Sequence, residues 1–186
     1  MVIEAGLRGA FMLARGRPEG LMLVEESPAG AARSFWAAAI CLPGFLALRF
    51  LSWAATGGPS PGMGRGLTAE LLGYACGWVG FALASLKLAE AAGRQAEWPH
   101  FLAAWNWANV VQYLVMLALV VPASLGLPPL LANGLGLAAL GYALWLEWFV
   151  AAQALRLPGG RAVIFVLLDL ALTILIGGAV SRVGGG

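Results

Sequence analysis

Charge is scarce in this sequence. Lys and Arg number 11 and Asp and Glu 9 among 186 residues, 11% of the chain. Soluble domains run near a quarter charged, so these side chains are too few to cover a water-facing surface of this size. A soluble fold would need a partner surface larger than the chain itself. Histidine occurs once, as His100, and one imidazole with no Cys or carboxylate at ligand spacing makes no metal site. No metal and no cofactor is expected. Only two cysteines are present, Cys41 and Cys76. Each lies in a separate apolar segment, at depths that put them in opposite leaflets. They make no disulfide framework and read as small buried hydrophobes. No glycine-rich stretch follows a phosphate-binding pattern, and any Ser-His pair would have to use His100, which nothing marks for that role. The basic residues form no run of the kind that binds nucleic acid. The chain is therefore expected to be non-enzymatic, with no nucleic-acid partner. The first 33 residues carry repeated charges and no apolar core followed by a small-residue cleavage site, so no cleavable signal is expected.

Apolar residues are abundant, at 61% of the chain. They fall into five segments of the length that crosses a bilayer, about 20 residues for roughly 30 Å of hydrocarbon. These are Ser34–Ala55, Thr68–Ala91, Phe101–Pro122, Leu130–Leu155 and Ala162–Ser181. The short alternating segments of a β-barrel are absent. The expected fold is an all-α polytopic membrane helix bundle of five spans over residues 34–182. An N-terminal segment, 1–33, precedes it and a Gly-rich tail, 183–186, follows. Within 1–33, Glu4, Arg8 and Arg15 share one side of a helical wheel, which predicts a short helix at the membrane surface. Arg17-Pro18-Glu19-Gly20 ends that helix, and Ser27-Pro28 restarts structure with Pro in a first turn. The loop Thr56–Leu67 is rich in Gly and Pro, and a short Pro-containing turn, Ala123–Pro129, joins the third and fourth spans.

The basic residues distribute unevenly about these spans. Arg8, Arg15, Arg17, Arg33, Lys87, Arg94, Arg156 and Arg161 share one side, against Arg65 and Arg182 on the other. The positive-inside rule then predicts a cytoplasmic N-terminus and a C-terminus outside. Arginine far outnumbers lysine, and Ala, Gly and Leu are frequent, a composition suggesting a GC-rich bacterial genome. The expected location is thus a bacterial inner membrane, with a periplasmic C-terminus and the lipid bilayer as partner.

Ionisable residues within a span are costly and are functional candidates. Arg49 in the first span can pair with Glu70 at the outer end of the second. Lys87 can pair with Glu90, three residues on. Glu147 and Asp169 fall at similar depth, and Asn106, Asn109 and Gln112 recur at intervals of three. Depth alone would bring Lys87, Asn106, Asn109, Glu147 and Asp169 into one polar cluster, either a proton, ion or lipid-headgroup site or hydrogen-bonding glue between helices. Gly73, Gly77 and Gly80 form a small-residue ridge for close helix packing.

A cytoplasmic N-terminal segment followed by five spans resembles the Yip family of membrane proteins. The stretch from Ser27-Pro28 through Ser34-Phe35-Trp36 is similar to the lead-in to that family's first span, and Gly73-Tyr74 and Gly141-Tyr142 to its Gly-Tyr pairs. The resemblance implies a non-enzymatic membrane protein with protein partners and supplies no catalytic residues. Two functions are expected from these features: a scaffold or accessory subunit of a larger membrane complex, or a small transporter or channel using Glu147 and Asp169.

Overall fold

The structure, a computed structural model, describes residues 2–58, 62–124 and 126–185. Parts of the two connections Thr56–Leu67 and Ala123–Pro129, and the last residue of the tail, lie outside them. Among the described residues the chain is all-α. The helices are α1 (Val2–Leu13), α2 (Pro28–Ser34), α3 (Trp36–Thr56), α4 (Met63–Ala91), α5 (Trp98–Ser124), α6 (Pro129–Ala154) and α7 (Gly159–Gly185), with a 3-10 turn at Pro18–Leu23 between α1 and α2. Five helical stretches are long and apolar enough to cross a membrane: Pro28–Thr56, Met63–Ala91, Trp98–Pro122, Pro129–Ala154 and Gly159–Val183. The all-α bundle with five such helices is the fold expected from the sequence. At about 1.5 Å rise per residue, α4 to α7 are roughly 40 Å long, which exceeds an about 30 Å hydrocarbon core.

Helix ends follow local chemistry. Ser27 caps α2: its Oγ accepts from Gly30 N at 3.0 Å, and Pro28 occupies the first turn, where a missing N–H costs nothing. Gly57 closes α3 with φ 86°, and its N–H returns to Trp53 O; that left-handed conformation is one glycine adopts without strain. Four boundaries differ from the expected spans by three residues or more, and one is the start of α7, at Gly159 rather than Ala162. α4 starts at Met63 rather than Thr68, so Arg65 is helical. α5 starts at Trp98 rather than Phe101. α7 runs on past Ser181 and through Val183 to Gly185, so the described part of the 183–186 tail is helix.

Helix α5 is the centre of the bundle and packs on α1, α2, α3, α4 and α6; α7 packs on α4 and α6. Residues Phe101 to Ala108 are buried on every face. An aromatic chain runs through this region. Phe81 stacks on Trp105 with ring centroids 4.0 Å apart, Trp78 meets Trp105 edge-on at 5.7 Å, and Phe101 meets Phe165 at 5.3 Å. Such pairs contribute about 0.5–1.5 kcal/mol each beyond the area they bury.

The N-terminal segment joins this core. α1 packs on α5, with Ala10 and Leu13 fully buried. Gly6 lies so close to the Trp107 indole that any added Cβ would overlap the ring. Tyr142 OH donates to Ala14 O at 2.8 Å, tying the end of this segment to α6. The expected short helix exists, and one face of it is docked on the protein's own helices. Its glycines and alanines are what allow so close an approach.

Candidate functional site

Apart from Ser85, whose Oγ accepts from Trp98 Nε1 at 3.0 Å and donates to Ala82 O at 3.2 Å, the polar side chains within the bundle separate into three places. The most open is a cleft between α3, α4, α5 and α7, with a volume of about 180 Å³. Helix periodicity builds its walls. Trp105, Asn109 and Tyr113 recur every four residues on α5, and Asp169, Leu172, Thr173 and Ile176 follow a three-four pattern on α7, so each set shares one face. On α4, Gly73 lets α7 approach until a Cβ there would sit 2.5 Å from Val180 Cγ2. One turn on, Gly77 lines the cleft with open space beside it.

Arg49 and Glu70 lie at one end of the cleft. Arg49 Nε and Glu70 Oε2 are 2.9 Å apart, and Glu70's side chain is 12% exposed against 40% for Arg49. The guanidinium also sits 5.7 Å from the Phe45 ring centroid, a cation–π distance. Tyr74 OH donates to Ala38 O at 2.7 Å, and its ring lies 4.6 Å from Phe45, which together lock α4 to α3. Deeper in, Asn109 Nδ2 donates to Trp105 O at 3.0 Å. The Asp169 carboxylate lines the cleft with no hydrogen-bond or ion-pair partner among the described residues. The indole N–H of Trp105 is buried without an acceptor among them.

The second place lies between α5 and α6. Gln112 Nε2 donates to Ala143 O at 3.1 Å and to Glu147 Oε1 at 3.3 Å. Glu147 Oε2 is buried without a partner among the described residues. The third is the contact of α5 with α2, where Asn106 Nδ2 donates to Ser34 Oγ at 2.7 Å and Ser34 Oγ donates to Ala31 O at 2.7 Å.

The five residues that depth alone would group are thus spread over four locations. Lys87 is outside the bundle: its side chain is 76% exposed and pairs with Glu90 Oε2 at 2.9 Å. Asn106 faces α2, Asn109 and Asp169 face the cleft, and Glu147 faces Gln112, within electrostatic reach of Asp169 but not in the cleft lining. Helix geometry gives the reason. A step of three residues falls about 60° short of a full turn, so Asn106 and Gln112 point in directions about 120° apart. Residues spaced by four drift less, and the Trp105–Asn109–Tyr113 face is the signal that would have found the cleft. The expected ridge is divided as well. Gly73 makes a close helix contact, whereas Gly77 and Gly80 have open space around them.

Outside the cleft, His100 ties α5 to the 3-10 turn, with Nε2 3.0 Å from Leu21 O. Both thiols are free. Cys41 is buried as expected, but Cys76 is exposed on α4, where it lines an apolar groove against Ile176 and Val180 of α7. Among the described residues no three His, Cys, Asp or Glu side chains converge as a metal site would require. What the cleft offers is recognition chemistry: a carboxylate, an amide oxygen and a phenol hydroxyl between aromatic walls. Comparisons with family models, with curated proteins and with solved structures found no match to this chain.

Proposed function

We propose that this chain is a non-enzymatic integral membrane protein that serves as a scaffold or accessory subunit of a larger membrane complex. The observation that carries this reading is the set of glycines left without protein neighbours on helices fit to cross the bilayer. Among the described residues, Cβ atoms added at Gly80, Gly134, Gly136, Gly141 and Gly178 would meet nothing within 4 Å. The same part of α6 exposes Leu130, Leu131, Leu137 and Leu140. Apolar leucines suit lipid equally well, but glycine gives lipid little to pack on, while it lets a second helix come close. The resemblance to the Yip family supports the same reading. The proposed setting is a bacterial inner membrane with the N-terminus in the cytoplasm, from the charge asymmetry of the connections.

Affinity capture of the tagged chain at native expression, in mild detergent, followed by sizing and mass spectrometry, tests this. A reproducible set of co-purifying membrane proteins is expected, and it should be lost when Gly134 and Gly136 are changed to Leu. Recovery of the chain alone from every preparation would count against it.

A second reading, a small transporter or channel, rests on Asp169 in the cleft and on the unpartnered oxygen of Glu147. Transporters commonly carry internal repeats, and the five spans show no such repeat in sequence. Liposome flux that disappears in Asp169→Asn and Glu147→Gln variants of unchanged fold would favour transport over scaffold.

A further inference from the structure

We propose that the cleft between α3, α4, α5 and α7 is a binding site for a small organic ammonium ion. Arg49 and Glu70 neutralise one another at 2.9 Å, which leaves Asp169, among the described residues, as the carboxylate of the lining without a counterion. An anionic ligand would meet the Asp169 carboxylate and find the Arg49 cation already engaged. A cationic ligand would supply the missing partner, and a paired carboxylate is far less costly away from water than a bare one.

The walls then select the kind of cation. Phe45, Tyr74, Trp78, Trp105 and Tyr113 present aromatic surface to the cleft. Ring faces attract an ammonium or guanidinium group, and Arg49 over Phe45 already shows that contact here. A divalent metal ion would call for several charged ligands, whereas among the described residues no three His, Cys, Asp or Glu side chains converge and Asp169 is the uncompensated carboxylate of the lining. Size sets the remaining limit. The cleft's volume of about 180 Å³ slightly exceeds that of an apolar cavity of about 150 Å³ that accepts benzene. A ligand of about six non-hydrogen atoms, benzene's own count, fits with its nitrogen at Asp169 and its carbon body against the rings. Asp169 lies near the middle of α7, roughly 15 Å along the helix from Gly159. A free amine reaches that depth more readily than the ammonium of a lipid headgroup held at the interface.

The site can be tested on the isolated full chain, so its outcome is separate from that of the assembly reading. The protein is placed in phosphatidylcholine nanodiscs and titrated with n-butylammonium, followed by calorimetry and by tryptophan fluorescence, since Trp78 and Trp105 line the cleft. Saturable binding is expected, at least about tenfold tighter than for uncharged n-butanol, as loss of a charge-assisted hydrogen bond implies. Asp169→Asn should weaken it about tenfold or more. Gly77→Leu should abolish it by filling the cleft, and Lys87→Gln should leave it unchanged. If nanodiscs containing phosphatidylethanolamine weaken n-butylammonium binding, the lipid headgroup is a source of the same ammonium chemistry. If they do not, the ligand is a free amine. Equal binding of n-butanol, displacement by sodium ions at equal concentration, or no saturable binding would overturn the proposal. The amine–alcohol comparison uses the unaltered chain and decides even if the variants fail to fold.

Discussion

Glu25 sits just before α2, where Arg33 Nη2 donates to its Oε1 and Ser27 Oγ donates to the same oxygen at 2.7 Å. The Arg33 hydrogen bond, then that of Ser27, holds the Glu25 carboxyl below the ordinary carboxylate value. A depressed folded-state pKa means that the pair's contribution is present above the unfolded pKa and is lost as pH falls through the folded one. Arg33→Gln should therefore raise the Glu25 titration midpoint, read from its side-chain carboxyl resonance by NMR; an unmoved midpoint would show that Arg33 is not the cause. Gly6 makes a second prediction at this scale. Its contact with the Trp107 ring leaves no room for a side chain, so Gly6→Leu overpacks it and should destabilise the docked α1 by about 1–3 kcal/mol. Faster proteolysis near the N-terminus and a shifted Trp107 emission would register it. Arg49 and Glu70 could be marked as a pair from sequence because two opposite charges fell at one depth. Tyr74, Trp105 and Tyr113 could not, since aromatic rings look the same in a sequence whether they line a cleft or fill a core.

At the level of elements, hydrophobic run length made all five long helices legible, because a span must be apolar over a set distance. Their ends were less legible. Gly62 to Leu67 reads as loop in water, yet α4 begins at Met63, in keeping with the greater frequency of glycine in membrane helices. The turn after α6 holds a strained residue: Arg156 has φ 51°, in the left-handed region that glycine prefers. Arg156→Gly should raise thermal stability by about 1 kcal/mol, the lower end of the cost of holding a non-glycine residue there. A lowered melting temperature would mean that the Arg156 side chain contributes more than its backbone costs. The docking of α1 was illegible for a different reason. Its buried face is made of Gly6, Gly9, Ala10 and Leu13, and small residues that permit close packing carry almost no hydrophobic signal.

Across the whole molecule five helices among the described residues are long and apolar enough to cross a bilayer, and Arg8, Arg15, Arg17, Arg33, Lys87, Arg94, Arg156 and Arg161 fall in the N-terminal segment or near the α4–α5 and α6–α7 connections. Charge asymmetry was readable directly, since it depends on counting residues between spans. The division of polar groups was not, because depth gives a height along the bundle and no direction around it. Asn106, Asn109 and Gln112 follow one another within two turns and face three different neighbours.

The most direct test is a topology map by thiol labelling in intact cells and in inverted vesicles. Cys41 and Cys76 are first changed to Ala, and single cysteines are then introduced as Thr56→Cys, Gln95→Cys, Leu127→Cys and Pro158→Cys. Positions 95 and 158 should label only from the cytoplasmic side, and positions 56 and 127 only from the opposite side. Labelling of two successive connections from the same side would contradict this topology, since the helix between them would then not cross the membrane.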